Sequence, residues 1–265
     1  MLGTRIVTGL ALGAVVTAVI LYLPTAYAAG SLAVLWLAGA WEWAGLARLA
    51  RAERGAYAAA TVLLMLAVAW RLDSLAVIDA ILALALAGWA LALAGILTYP
   101  RPIADAWIAL AGPVALLPSW LALEYLHAAH PRGPALVLLA LALVWAADVG
   151  AYAIGRLFGR VKLAPKVSPG KTWEGVLGGV ALALAAAWAG SAWLDLAVGP
   201  LLAIAAVTAL VSVVGDLTVS MLKRRVGLKD TGSLLPGHGG VMDRIDGLVA
   251  AVPAYALGLR ASGVL

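Results

Sequence analysis

The sequence predicts an all-α, polytopic integral membrane protein with about nine transmembrane helices and a cytoplasmic amino terminus. Of its 265 residues, 65% are hydrophobic and only 12% are charged, and the mean hydropathy is +1.03. Soluble domains are about half apolar and about one quarter charged. Two further observations support this fold class: apolar runs recur along the chain, and basic residues alternate between the two sides of the predicted spans.

Each apolar run is about as long as the ~20 residues that cross a hydrocarbon core of ~30 Å. The runs cover residues 5–23, 27–47, 56–70, 75–98, 106–126, 134–155, 174–195, 199–221 and 244–264. The third run is the shortest. The first run exceeds the ~7–15 apolar residues of a secretory signal, so we expect it to remain as the first span.

Basic residues separate into two sets when these nine runs are taken as spans. The first set lies at the amino end and in the even-numbered loops: Arg5, Arg48, Arg51, Arg54, Arg101, Arg156, Arg160, Lys162, Lys166, Lys171, Lys223, Arg224, Arg225, Lys229 and Arg244. The odd-numbered loops and the carboxyl end hold Arg71, Arg132 and Arg260. The positive-inside rule therefore places the amino terminus and the even loops in the cytoplasm.

Two polar segments interrupt the apolar sequence, one from Asp148 to Gly175 and the other from Asp216 to Asp246. Both lie in the second half of the chain. We therefore divide it into residues 1–130, a set of membrane helices for packing, dimerisation or lipid-side support, and residues 131–265. The second part carries the cytoplasmic loops 156–173 and 222–243 and is the expected location of the chemistry.

Three carboxylates flank the second polar segment. Asp216 lies inside the eighth apolar run, where an unpaired carboxylate is costly and is by default functional. Asp243 and Asp246 are three residues apart and share one face of a helix. Convergence of the three would give an all-oxygen site suited to Mg²⁺. The alternative is that Asp243 and Asp246 pair with Arg244 and other nearby cations.

A glycine-rich stretch lies between these carboxylates. It reads Pro236-Gly237-His238-Gly239-Gly240, and glycines let successive backbone N–H groups form a concave anion site. Lys223, Arg224 and Lys229 add positive charge. The sequence therefore predicts a polyphosphate site in which His238 donates to a phosphate or carries a proton. A hydrogen-bonded structural histidine is the alternative.

The first polar segment has a similar composition. Asp148 lies within the sixth run, and Gly170-Lys171-Thr172 looks like the end of a P-loop, but Pro165 stands where the first glycine of that motif belongs. We instead expect Ser168, Lys171 and Thr172 to begin the seventh helix, whose amino end suits a phosphate. Three other acids, Glu42, Asp79 and Glu124, are interpreted as structural because they lie near membrane interfaces.

The run SMLKRRVGLKDTGSLLPGHGGVMDRID, from Ser220 to Asp246, closely resembles the signature of the phosphatidate cytidylyltransferases. Shared features are Ser220, the Lys223-Arg224 and Lys229-Asp230 pairs, the glycine-rich stretch 236–240 and Asp243-Arg244-x-Asp246. SPGKTWEG, from Ser168 to Gly175, is similar to a second shared stretch, although Gly170 stands where a second lysine is common. The first 130 residues match only as apolar helices.

This resemblance implies transfer of a cytidylyl group from CTP to phosphatidate at the cytoplasmic face, giving CDP-diacylglycerol and pyrophosphate. It implies a catalytic set of Asp216, Lys223, Lys229, His238, Asp243, Arg244 and Asp246, with one or two Mg²⁺ on the three aspartates. The expected substrate-binding residues are Asp148, Ser168, Lys171, Thr172, Ser220, Arg224, Gly237, Gly239 and Gly240. We expect the inner membrane of a prokaryote, no nucleic-acid partner, and leave a homodimer open.

Other readings of the same residues stay open. A CTP-dependent kinase acting on a polyprenol-type lipid would share the nucleotide site but release CDP and a lipid phosphate. A CDP-alcohol phosphotransferase fits less well, because its Asp-Gly-x-x-Ala-Arg motif is missing. A polytopic transporter would explain many spans and buried acids, but its charged groups should line a path near the membrane midplane.

Overall fold

The computed structural model describes residues 2–70, 74–234 and 239–265. Within these ranges the chain forms nine α-helices and one small β-hairpin. The elements are α1 (Leu2–Tyr22), α2 (Thr25–Leu46), α3 (Arg51–Ala69), α4 (Leu75–Thr98), α5 (Asp105–Ala129), α6 (Gly133–Phe158), β1 (Lys162–Ala164), β2 (Ser168–Thr172), α7 (Trp173–Leu194), α8 (Val198–Arg225) and α9 (Met242–Ala261). The predicted all-α polytopic class is confirmed.

Each helix coincides with one of the predicted apolar runs, because long Ala- and Leu-rich stretches both favour helix and satisfy their own backbone hydrogen bonds in lipid. Six of the described helices, α3 to α8, are long and apolar enough to cross a membrane. Helices α1, α2 and α9 fall outside that group within the described residues. The total of nine spans therefore stays a prediction.

At one end of the bundle, Arg225 joins three helices. This residue ends α8, and its guanidinium forms an ion pair with Asp105 at the start of α5. It also donates to the carbonyl oxygen of Leu46, the last residue of α2, at 3.4 Å. The carboxyl ends of α2 and α8 and the amino end of α5 are thus at the same end, as alternating spans require.

The opposite end has its own connections. Thr25 at the start of α2 is hydrogen-bonded to His127 near the end of α5, with 2.8 Å between Oγ1 and Nδ1. Arg260 near the end of α9 donates to Asp79 near the start of α4, with 2.8 Å between Nη2 and Oδ2. The helix ends therefore separate into the same two groups that the basic residues indicated.

Helix α9 is the central element of the core. Val249, Ala250, Ala251 and Val252 are fully buried, as is Tyr255 one turn later. The helix packs against α2, α4 and α5 from the first half of the chain and against α6 and α8 from the second. The proposed boundary near residue 130 stays a prediction, and both parts contribute to one core.

The β-hairpin between α6 and α7 corrects one expectation. Ser168, Lys171 and Thr172 do not begin the seventh helix, because residues 168–172 form β2, paired antiparallel with β1. Thr172 instead caps α7: its Oγ1 accepts a hydrogen bond from Gly175 N at 3.2 Å. An extended Thr cap is a standard helix start, and it leaves Lys171 on a strand next to the bundle.

Candidate active site

A cavity of about 570 Å³ opens between α6, α7 and α8, next to the hairpin. Its walls are mostly apolar. The expected site residues that line it are Asp148, Ser168, Lys171, Thr172 and Asp216. Five residues from the two separate polar segments therefore meet in one cavity whose size suits a small-molecule ligand.

Close packing of α6 on α7 forms one wall of this cavity. A Cβ atom on Gly150 of α6 would overlap the carbonyl oxygen of Gly178 on α7. A Cβ on Gly179 would likewise approach the carbonyl of Ala147. Small residues allow helix backbones to approach closely, and here they bring Asp148 of α6 close to Lys171, which immediately precedes the α7 cap.

Lys171 and Asp216 form an ion pair across the cavity. The other Asp216 oxygen, Oδ1, accepts a hydrogen bond from Ser220 at 3.2 Å, one turn later on α8. Both partners stay partly exposed, with 27% and 31% of their side-chain surface accessible. The pair is therefore open to a ligand that enters the cavity.

Two more carboxylates lie near this pair. Asp246 and Asp148 both interact electrostatically with Asp216 and with each other, and Lys171 attracts both. Asp246 lies near the start of α9. Its Oδ1 atom accepts a hydrogen bond from the backbone N–H of the next residue, Gly247, at 2.8 Å. Three carboxyl groups thus lie near the Lys171 ammonium, and Arg244 is a second cation near Asp148.

Asp243 lies in a second cluster. Its Oδ1 forms an ion pair of 2.6 Å with Lys223 Nζ, and its Oδ2 accepts bonds from Thr231 N at 2.8 Å and Gly240 N at 3.1 Å. Asp243 is in the first turn of α9, outside the six candidate spans. Burial raises the pKa of this carboxyl, but the Lys223 ammonium and the Thr231 N–H outweigh it and hold that pKa below its ordinary value.

The three carboxylates predicted to converge on metal are therefore arranged differently. Asp216 and Asp246 interact electrostatically with each other, while Asp243 forms its contacts with Lys223 and with backbone donors of the loop before α9. Asp148, expected as a substrate contact, interacts electrostatically with both Asp216 and Asp246. Spacing along α9 could place Asp243 and Asp246 on one helix face, but it could not show which neighbours each would meet.

A hard divalent cation fits the donor chemistry of Asp216 and Asp246. Mg²⁺ is commonly held by one or two carboxylates, with substrate phosphates and water as its other ligands. No group of three or more His, Asp or Glu side chains arranged for a metal ion occurs among residues 2–70, 74–234 and 239–265. A two-carboxylate site completed by substrate matches both observations. Asp243 as a third ligand stays a prediction.

The cytidylyltransferase family model matches residues 3–261, almost the whole chain. A relative of 45% identity, covering 99% of this chain and 98% of its own length, is a phosphatidate cytidylyltransferase of Pseudomonas aeruginosa. The chain belongs to the phosphatidate cytidylyltransferase family. A protein of the same name from Haemophilus influenzae is 37% identical over 97% of this chain and 98% of its own length. One from Brucella suis is 46% identical over half of each chain.

The family match extends the resemblance found in the sequence. The expected similarity was strong only beyond residue 130, yet the family model and the first two relatives cover the amino-terminal helices as well. Helices α1 to α5 are therefore part of what this chain shares with its relatives.

The remaining predicted residues have different positions. Arg224 donates from Nε to the carbonyl of Val167, at 3.4 Å, and so joins the end of α8 to the hairpin. Lys229 is exposed in the loop after α8. Arg244 is exposed at the start of α9 and interacts electrostatically with Asp148. Gly239 has a positive φ of 83°, which favours glycine. Gly237 and His238 lie outside the described residues.

Residues that were not predicted as site residues also contribute. Tyr152 and Arg156, one turn apart on α6, line the cavity, and Arg156 Nη1 donates to the Tyr152 hydroxyl at 2.5 Å. Their spacing after Asp148 was a usable signal, because residues four apart lie on one helix face. Glu42, interpreted as structural, contacts the start of α9. No local pattern around Glu42 indicates that contact.

Proposed function

We propose that this protein transfers a cytidylyl group from CTP to phosphatidate. A phosphate oxygen of phosphatidate forms a bond to the α-phosphorus of CTP, and the bond from that phosphorus to the bridging oxygen breaks. The products are CDP-diacylglycerol and pyrophosphate. The observation that carries this proposal is the Lys171–Asp216 pair in a cavity between apolar helices, in a chain whose full-length relatives carry that enzymatic name.

The chain's own contribution is to hold and neutralise phosphate groups. Both substrates are anions, so the main barrier is their mutual repulsion, and fixed positive groups lower it. Lys171 and Arg156 line the cavity, and Arg244 lies near its Asp148 side. These three cations are the proposed phosphate contacts. A phosphate monoester is already nucleophilic near neutral pH, so this reaction requires no strong general base.

The carboxylates have a separate role. Asp216 and Asp246 are the proposed ligands of Mg²⁺, which when bound offsets phosphate charge and orients the phosphate oxygens. Lys171 and Ser220 orient Asp216 from two sides. Lys223 fixes Asp243 at the start of α9. His238 stays a predicted phosphate contact.

The lipid substrate fits the surroundings of the cavity. Val149 and Tyr152 on α6 and Leu177 on α7 are 61%, 66% and 69% exposed. Apolar side chains on this outer surface can contact acyl chains in the bilayer while the phosphate reaches Lys171. The proposed site is therefore open to lipid from the side and to the nucleotide from the aqueous end of the helices.

The membrane orientation is part of the proposal. The end that carries the hairpin and the loop after α8 also carries most of the lysines and arginines, and basic loops stay in the cytoplasm. We therefore assign this end to the cytoplasmic side of a prokaryotic inner membrane, where CTP is available. A homodimer stays open as the oligomeric state.

Product analysis tests the reaction. Purified protein is given labelled CTP, phosphatidate and Mg²⁺, and a parallel preparation of Asp216→Asn controls for enzyme from the expression host. The expected products are CDP-diacylglycerol and pyrophosphate with the unmodified protein only. Formation of CDP and a phosphorylated lipid from a polyprenol would instead identify a CTP-dependent lipid kinase and overturn the proposal.

A further inference from the structure

Glu42 connects the amino-terminal helices to the start of α9. It lies on α2, its exposed fraction is only 3%, and its carboxylate contacts residues 199 and 200 positions later. Oε1 accepts a hydrogen bond from Val241 N at 3.1 Å, and Oε2 accepts one from Met242 N at 2.8 Å. A buried carboxylate requires such partners, and here they come from a segment of the candidate active site.

These bonds replace a missing cap. The first N–H groups of a helix have no partner within the helix, and a side chain just before the helix usually accepts from them. At α9 that position is Val241, which supplies no side-chain cap. Glu42 accepts these N–H groups from a different helix, and its negative charge lies at the positive end of α9.

Thr231 links Glu42 to Asp243. Its hydroxyl is 2.8 Å from Glu42 Oε2 and 3.0 Å from Asp243 Oδ2, and its backbone N–H donates to the same Asp243 oxygen. A hydroxyl has one proton, so the two carboxylates share one donor. Movement of Glu42 would therefore move Thr231 and change the environment of Asp243.

The loop fits closely around this carboxylate. A Cβ atom on Gly240 would overlap both the Glu42 carboxylate and the Thr231 hydroxyl. A Cβ on Gly232 would overlap the same carboxylate. Two glycines thus allow the loop to approach Glu42 from both sides, and the contact requires backbone positions that a larger residue would not allow.

We propose that Glu42 is a positioning residue for the cytidylyl transfer. Through Thr231 and the first N–H groups of α9, it holds Asp243 in its contact with Lys223 and sets where α9 begins. Glu42 itself touches no substrate. This inference rests on the proposed function, and it gives the amino-terminal helices a part in the reaction: α2 supplies a contact that residues 131–265 lack.

Glu42→Gln is the primary test. Glutamine has almost the same size as glutamate, but an NH2 group replaces one of the two carboxylate oxygens. Its N–H groups would then face the backbone N–H of Val241 or Met242, which need an acceptor. We expect kcat to fall about tenfold or more, because a small displacement of a catalytic group has an effect of this size. The KM for CTP should change less than about threefold, because Glu42 touches no substrate.

Hydrogen exchange gives a readout that does not depend on activity. In Glu42→Gln, amides of a peptide covering residues 239–245 should exchange faster, while peptides from α6 and α7 should not change. Thr231→Val should also lower kcat. The double variant, Glu42→Gln with Thr231→Val, should have a kcat no lower than that of the less active single variant, because both changes break the same connection. Thr231→Ser keeps the hydroxyl and should restore activity.

Glu124→Gln is the matched control. Glu124 is another acid within the amino-terminal helices, on α5, with an oxygen that has no hydrogen-bond partner among the described residues. The Glu124→Gln variant should keep the kcat of the unmodified protein.

The inference would be overturned by full kcat in both Glu42→Gln and Thr231→Val, together with amides at 240–242 that are unprotected from exchange in the unmodified protein. If Glu42→Gln does not fold, the kcat of Thr231→Val is the deciding measurement: a lowered kcat supports the inference and a full kcat overturns it. Absence of transfer by the unmodified protein would contradict the proposed function instead, and the exchange result would remain interpretable.

Discussion

Lys171 on β2 and Asp216 on α8 form an ion pair that joins the two polar segments of the chain. In the sequence these residues are 45 positions apart and separated by the whole of α7. A Lys ammonium shifts readily between partners because it is a compact charge on a flexible stem. We infer that Asp216 holds Lys171 at the cavity, where an entering phosphate can take over the ammonium.

Replacing Lys171 with methionine should remove this phosphate contact while keeping the apolar part of the side chain. We expect kcat/KM for CMP transfer to fall roughly a hundredfold, which is typical when one fixed donor to a developing negative charge is removed. Lys171→Arg should lose less, because the charge remains. Steady-state assays with varied CTP measure both.

Lys166→Met is the control for this experiment. Lys166 is exposed in the turn between β1 and β2, on the same hairpin but outside the cavity lining. The Lys166→Met variant removes one positive charge from the same hairpin and should change kcat/KM by less than about twofold. Equal losses in Lys166→Met and Lys171→Met would indicate a general effect of loop charge and contradict the assignment.

The Lys223–Asp243 pair should show energetic coupling. The side chains are only 13% and 6% exposed, so removal of one partner leaves the other charge poorly solvated. Lys223→Met and Asp243→Asn should each destabilise the protein by roughly 1–3 kcal/mol. The double variant should be less destabilised than the sum of the two. Thermal unfolding in detergent measures this cycle, and simple additivity would show that the pair contributes little.

The sequence predicted the helices well and the site contacts less well, for physical reasons. Apolar length and composition determine a membrane helix, so all nine runs correspond to helices in the described part of the chain. Asp216 and Asp148 stood out because charge is costly among apolar residues. Lys171 stood out because Gly170-Lys171-Thr172 precedes the seventh apolar run. The position of Asp243 and the role of Glu42 depend on how α2, α8 and α9 pack, and no local pattern contains that information.

Cysteine labelling can test the membrane orientation. The chain has no cysteine, so single substitutions need no altered background. Ser233 lies exposed in the loop after α8, and Ser262 lies exposed after α9. In intact cells, a membrane-impermeant maleimide should label Ser262→Cys and not Ser233→Cys, while both should react in opened membranes. The reverse pattern would place the candidate active site outside and contradict the proposed orientation.

The close approach of α6 and α7 should not tolerate a side chain at Gly150. A Cβ there meets the Gly178 carbonyl, which is backbone and cannot rotate away, so Gly150→Val must separate the helices. Overpacking of this kind costs about 1–3 kcal/mol, and the separation would also move Asp148 away from Lys171. We expect lower thermal stability together with reduced CMP transfer.

Gly199→Ala on α8 is the control, because a Cβ there meets no atom within 4 Å. Since alanine favours helix over glycine by up to ~1 kcal/mol, that variant should be at least as stable as the unmodified protein. Normal stability and activity in Gly150→Val would show that the cavity does not depend on this helix contact.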